Sequence, residues 1–190
     1  VNRMLSFIAQ ARSDGAEVVV FPEMCVTGYI LGDQWEVDQL VKDYAGYSDA
    51  LCAASNDLVV IFGNVAVDCA RTGEDGRLRK YNAVFVCCNT KYLIRRDVPP
   101  GLPSGIQPKT LHPNYRFFDD DRHFFSLREL AEEEGRSVYD WAIPYSVVLP
   151  SGKPFRFGVQ LCEDIWCQDY NFHGSPLDTA AAYHRNGAQA

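Results

Sequence analysis

The sequence predicts an α/β domain built on a mixed β-sheet, and three observations carry that expectation. Apolar, β-branched runs such as Val18-Val19-Val20-Phe21 and Leu58-Val59-Val60-Ile61-Phe62 have the continuity of strands covered on both faces. Stretches of helical spacing stand between such runs. Two short runs, 146–149 and 155–161, flank the turn Pro150-Ser151-Gly152-Lys153 and read as a hairpin, so at least one pairing is antiparallel.

In chain order, Leu5, Ile8 and Ala9 repeat at three and four and predict a helix over 5–11. Asp14-Gly15 closes it, glycine suiting the left-handed position after a helix. Residues 17–21 form a strand that Pro22 ends. A loop covers 28–33, and a helix lies within 36–55, interrupted around Gly46. A second strand covers 58–63 and extends to Val67 past a bulge. The polar stretch 71–79 is a turn, 81–88 is the next strand, 89–91 is a turn, and 92–96 continues in strand character. The proline-rich stretch 99–105 is irregular. Residues 109–125 carry five aromatics at no regular spacing, which predicts a loop crossing a cleft. A short helix at 126–134 ends at Gly135, and a last helix covers 176–185.

With 190 residues, 47% hydrophobic and 23% charged, the chain suits a single domain over 1–190 with a large core. A formal charge of −7 disfavours non-specific binding to nucleic acid or to an anionic membrane. No run approaches the roughly 18 apolar residues of a membrane span. Val1-Asn2-Arg3-Met4 lacks the features of an export signal. The seven cysteines are odd in number and follow no disulfide or zinc spacing, so the expectation is a reduced, cytoplasmic protein. Cys87 and Cys88 are adjacent in a strand, point to opposite faces and read as packing residues.

Three places join the end of an apolar run to a reactive group. Glu23 follows Pro22 at the exit of a strand, where a partly desolvated carboxylate suits proton transfer; a solvated loop glutamate fits the same pattern. Cys162 follows the run 157–161 and precedes Glu163 and Asp164. A sharp strand exit there would expose a nucleophilic sulfur and nearby backbone N–H groups, although a buried packing cysteine is the plainer reading. The adjacent acids discourage a standing thiolate, so a cation must offset them or the thiol must pass its proton to a neighbour as it attacks. Lys109, restrained by Pro108 and followed by the aromatic stretch, is a candidate for that cation, although a solvated lysine head is the plainer reading. Asp119-Asp120-Asp121 reads as a solvated acidic run rather than a magnesium site. His112, His123, His173 and His184 form no metal spacing, and a Cys–His pair through space is left open. Neither a phosphate-cradling loop nor a GxGxxG motif is present.

Taken in order, three segments resemble the Glu, Lys and Cys motifs of the nitrilase, or carbon–nitrogen hydrolase, superfamily. They are Phe21-Pro22-Glu23-Met24-Cys25-Val26-Thr27-Gly28-Tyr29, Pro108-Lys109-Thr110-Leu111-His112-Pro113-Asn114-Tyr115 with Phe118 and Arg122-His123-Phe124, and Gly158-Val159-Gln160-Leu161-Cys162-Glu163-Asp164-Ile165-Trp166. Their finer forms are similar to the branch that serves as the glutaminase domain of glutamine-dependent NAD+ synthetases. The resemblance implies a four-layer α-β-β-α sandwich, a homo-oligomer, and release of ammonia from glutamine to a separate synthetase domain that uses ATP and Mg. The amidase half-reaction itself takes no metal or organic cofactor. By the same resemblance Cys162 is the nucleophile, Glu23 the general base and Lys109 the stabiliser of the tetrahedral intermediate. Tyr29, Tyr115 and Glu163 line the substrate pocket. Asp120 stands where the family carries a glutamate supporting the lysine, one methylene shorter. The family's first strand would precede Val1 and further strands would follow Ala190, so the domain is expected to be incomplete at both ends, with no synthetase domain in this chain. Two other readings stand beside this one: an amidase, carbamoylase or nitrilase of the superfamily acting on another small amide, and a catalytically inactive binding or assembly module of the same fold.

Overall fold

The computed structural model describes residues 1–103, 105–172 and 174–190. Ser104, in the proline-rich stretch expected to be irregular, and His173, one of the histidines weighed as a partner for Cys162, lie outside the described residues.

Helix α1 (Asn2–Ser13) buries Met4 and Ile8, with Leu5 partly covered and Ala9 exposed, so its inner face lies slightly round from the expected one. It ends at Asp14, followed by Gly15 at φ +78°, where a side chain would be strained. Strand β1 (Val18–Val20) follows. Its outer edge carries no neighbouring strand among the described residues and Val20 is exposed, which corrects the expectation of cover on both faces.

Helix α2 (Asp38–Ala53) runs unbroken through Gly46, against the expected interruption. Gly46 faces solvent, while Val41, Ser48, Leu51 and Cys52 are buried. A mid-helix glycine costs about 1 kcal/mol, and burying one large aliphatic side chain returns roughly 1.5–3 kcal/mol. Tertiary packing therefore overrides the local preference.

Strands β2 (Val59–Thr72) and β3 (Leu78–Cys88) form the spine of the sheet. They pair antiparallel without a break from Val59↔Cys88 to Asp68↔Arg79, and the register shifts only between Asp68 and Thr72. The irregularity expected near Asn64 therefore lies further along. Asn64 stays in the ladder because its Nδ2 donates to the Tyr44 carbonyl and to Ser48 Oγ, both at 2.9 Å. β1 joins β2 in parallel, and β4 (Lys91–Tyr92) and β5 (Ile106–Pro108) both pair with β3, giving a five-stranded mixed sheet. Only Lys91 and Tyr92 take up the strand character expected through 96. Strand β5 was not expected; it is too short and proline-rich to show as a periodic run.

Beyond β5 come two helices, α3 (Asp120–His123) and α4 (Leu127–Glu133). Ser126 and Glu129 form a capping box on α4, which accounts for its start. The expected hairpin is β6 (Tyr145–Val148) with β7 (Pro154–Phe157). Its ladder ends at Phe157 rather than at Leu161. Gly158 lies under the Tyr183 ring, where an added Cβ would come within 2.5 Å. The last elements are β8 (Asn171–Phe172), β9 (Ser175–Pro176) and α5 (Thr179–Arg185).

These elements stack as an α/β sandwich of two sheets flanked by helices. One core joins Met4 and Ile8 of α1 and Leu51 and Cys52 of α2 to Val60, Phe62 and Phe85 of the large sheet. A second joins Val59, Ile61, Val84 and Val86, on the opposite face, to Tyr145 and Phe157 of the hairpin. Cys87 falls in the first core and Cys88 in the second, as adjacent strand residues must. Among the described residues no helix is long and apolar enough to cross a membrane.

Candidate active site

Three chain segments converge at one end of the sandwich. The Glu23 segment leaves β1 and crosses β2 at Gly63. A Cβ on Gly63 would stand 2.5 Å from the Met24 nitrogen and 2.7 Å from the Glu23 Cα, so only glycine admits this approach. Replacing Gly63 with alanine is expected to push this segment away, cost about 1–3 kcal/mol of stability and lower activity. A thermal melt paired with a turnover assay checks both effects.

Lys109 follows β5, and its backbone N–H donates to the Asn82 carbonyl at 2.8 Å, so the central strand β3 sets its position. Its ammonium uses all three donors: on Glu23 Oε1 at 2.7 Å, Tyr29 OH at 2.9 Å and Asp120 Oδ2 at 3.3 Å. Tyr29 OH in turn donates to Asp120 Oδ2 at 2.6 Å. Asp120 therefore reaches the lysine despite its shorter side chain. The side chains of Lys109 and Asp120 are 1% and 2% exposed, and that of Glu23 is 13% exposed. Burial pulls the Lys109 pKa down, but the neighbouring Glu23 and Asp120 carboxylates more than offset it, and the net shift is upward.

Glu23 Oε1 also accepts a bond from Asn82 Nδ2 at 2.6 Å. Among the described residues Oε2 makes no hydrogen bond, which leaves one carboxylate oxygen free to take a proton. Asn82 was missed in the sequence; a fully buried amide in the middle of an apolar strand was the available signal.

Cys162 opens a 3₁₀ turn (Cys162–Ile165) at φ +35°, a left-handed conformation costing about 1–3 kcal/mol in a non-glycine residue. The residue is exposed, as the expected sharp exit requires. Glu23 and Cys162 both line a cavity of about 430 Å³, together with Phe21, Gly63, Phe157 and Leu161. Desolvation raises the thiol pKa and the Glu23 charge raises it further. Lys109 opposes this, and Glu163 and Asp164 add to the rise. The resting group is a thiol, so attack requires a base.

Glu163 is buried, and its carboxylate accepts from Tyr115 OH at 3.1 Å and Tyr170 OH at 2.7 Å. Tyr170 was not picked out in the sequence, since a lone tyrosine in an irregular segment carries no pattern. Phe118 packs edge-on against both Tyr29 and Tyr115, with ring centroids at 5.5 and 5.6 Å, so the aromatic stretch after Lys109 does wall this region. For a metal, His112, Asp121 and Glu129 each offer a ligand atom within 4.8 Å of the others. Asp121 is already bonded to His112 and Asn114, and Glu129 is held in the α4 capping box, so these groups have closer partners than an ion.

In this layered α/β sandwich Lys109 bonds Glu23, and Glu23 and Cys162 line one cavity. The carbon–nitrogen hydrolase family model matches residues 1–170, and the chain belongs to that family. Its relatives include glutamine-dependent NAD(+) synthetases: that of Acinetobacter baylyi is 26% identical over 165 residues, covering 87% of this chain and 24% of the relative. That of Mycobacterium leprae is 27% identical over 173 residues, covering 86% and 22%. The solved glutamine-dependent NAD+ synthetase of Acinetobacter baumannii, in complex with ADP, superposes with a TM-score of 0.64 at 23% identity, covering 98% of this chain and 27% of that one. The chain thus spans about a quarter of the length of these relatives.

Proposed function

We propose that the chain is a cysteine-dependent amidohydrolase that releases ammonia from glutamine through a thioester. The observation that carries the reading is the state of Glu23. One oxygen is pinned by Lys109 and Asn82, the other makes no hydrogen bond among the described residues, and Glu23 and Cys162 line the same cavity.

In the reaction, Glu23 Oε2 takes the Cys162 proton as sulfur bonds to the amide carbon. The carbonyl oxygen becomes negative and meets the field of Lys109 and a backbone N–H of the turn at Cys162. The longest of the three Lys109 bonds, to Asp120, is the one whose donor is most easily redirected to this oxygen. Collapse breaks the carbon–nitrogen bond, and the protonated Glu23 gives its proton to the departing ammonia. Water then loses a proton to Glu23, attacks the thioester and releases glutamate, and the thiolate regains the proton. The Glu163 carboxylate, held between two tyrosines, would receive the substrate α-ammonium. The relatives' name, glutamine-dependent NAD(+) synthetase, supports use of the ammonia in making NAD+, and the resemblance of the motifs supports a separate ATP-dependent domain as its receiver.

Ammonia release should be compared between glutamine and a neutral aliphatic amide. Glu163→Ala is expected to raise KM for glutamine about tenfold or more, as loss of an ionic contact of roughly 1.4 kcal/mol would do, with a smaller change for the neutral amide, which has no ammonium to lose. Faster turnover of the neutral amide by the unaltered protein would instead favour a general amidase.

A further inference from the structure

The reaction as read above needs Lys109 and Cys162 in fixed register, yet they lie on separate loops with no described bond between their side chains. Asp164 connects those loops. Its side chain is buried, and Oδ1 accepts the backbone N–H groups of Thr110 at 2.9 Å and Leu111 at 2.8 Å, next to Lys109 in the chain. Oδ2 accepts the N–H of Leu161 at 3.0 Å, next to Cys162. One carboxylate thus satisfies donors from both loops, and no neutral side chain of that size offers three acceptor positions in this geometry.

We infer that Asp164 is a positioning residue that holds the Lys109 loop against the Cys162 loop. The inference rests on the proposed roles of Lys109 and Cys162. Burial pushes the Asp164 pKa up to about 6 against the lowering effect of the three N–H bonds, so near neutral pH the carboxylate is mostly charged and can serve all three.

Asp164→Asn keeps the shape and one acceptor but turns an amide N–H₂ toward the Leu161 N–H, so two donors face each other. The remaining oxygen still serves Thr110 and Leu111, so the Cys162 side is released and the two loops lose their common anchor. The groups acting on the Cys162 thiol are Glu23, Lys109, Glu163 and Asp164, with Tyr29 and Tyr115 also close enough to sense it. Lys109 lowers the thiol pKa more than Asp164 raises it. Two explanations therefore predict opposite signs. If Asp164 acted only by its charge, the asparagine variant would bring the thiol pKa down. If it positions Lys109, losing the larger influence takes the thiol pKa up.

The test follows alkylation of Cys162 by iodoacetamide across pH in the full-length protein, read by mass spectrometry of the Cys162 peptide. The expected result is a curve displaced to higher pH in Asp164→Asn, with kcat per alkylatable site about 100-fold lower and KM for glutamine little changed. A displacement to lower pH, or an unchanged curve with unchanged kcat, overturns the inference. Should the variant fail to fold, hydrogen exchange of the unaltered protein decides: Thr110, Leu111 and Leu161 amides protected to a common degree support the connection, and free exchange at Thr110 and Leu111 overturns it. If the unaltered protein releases no ammonia, the proposed function fails while the alkylation and exchange measurements still judge Asp164.

Discussion

Replacing Cys162 with alanine is expected to reduce ammonia release from glutamine by on the order of 10⁴-fold or more, because the covalent route is removed rather than weakened. The fold should tolerate the change. The side chain is exposed, and the backbone around it is held by Asp164 rather than by the sulfur. A melt within about 1 kcal/mol of the unaltered protein is expected. The measurement is glutamate and ammonia production at saturating glutamine, with the melt as control. Turnover undiminished in the alanine variant would place the nucleophile elsewhere among the cysteines. The geometry argues against that outcome for Cys52, Cys87 and Cys88, which are buried and whose thiol pKa values burial raises. A glutamine analogue bearing an electrophile should label Cys162 in preference to these; absence of such labelling would favour a binding module over an enzyme.

The second large effect is expected at Lys109. Lys109→Met keeps most of the apolar stem and removes the charge, leaving Asp120 and Glu23 as neighbouring carboxylates with little access to water. Breaking a buried ionic cluster by deleting one partner costs about 3–5 kcal/mol. Loss of the positive field at the developing oxyanion should cost a further 10²–10³-fold, roughly, in kcat. The pH dependence has a defined sign. In the unaltered protein Lys109 itself has a raised folded-state pKa, so its stabilising effect holds below the ordinary lysine value and fades only in alkali. Chemical denaturation at several pH values checks this, and the deficit of the variant should shrink only in alkali. A deficit that stays constant into alkaline pH would mean that the Lys109 charge does not hold the cluster.

Much of this was legible along the chain, and the parts that were not share a cause. The runs at β2 and β3 announce themselves because buried strands need continuous apolar sequence, and the run at β1 reads the same way although it is only partly covered. The helix α4 was legible as a short segment closed by Gly135, and the hairpin as two runs about a glycine turn. Gly46 misled because a local preference of about 1 kcal/mol is smaller than the burial of the opposite helix face. Strand β5 and the true end of β7 were hidden, since pairing to β3 and the approach of Tyr183 to Gly158 depend on residues far away in the chain.

Glu23 and Cys162 could be picked out because each sits where an apolar run stops, Lys109 because Pro108 restrains it ahead of an aromatic stretch, and all three because ordered motifs surround them. That ordering, with the alternation of strands and helices, is what the chain determined by itself: the sandwich and the kind of chemistry it suits. Tertiary structure alone decided which groups meet. It made Asn82 a partner of Glu23, sent Tyr29 and Asp120 to the same ammonium, and put Asp164 between two loops more than fifty positions apart. The physical reason is one of range. Periodicity and capping act over a few residues, whereas a buried charge takes its partners from whatever segments packing brings within hydrogen-bond reach, and no local pattern records that choice.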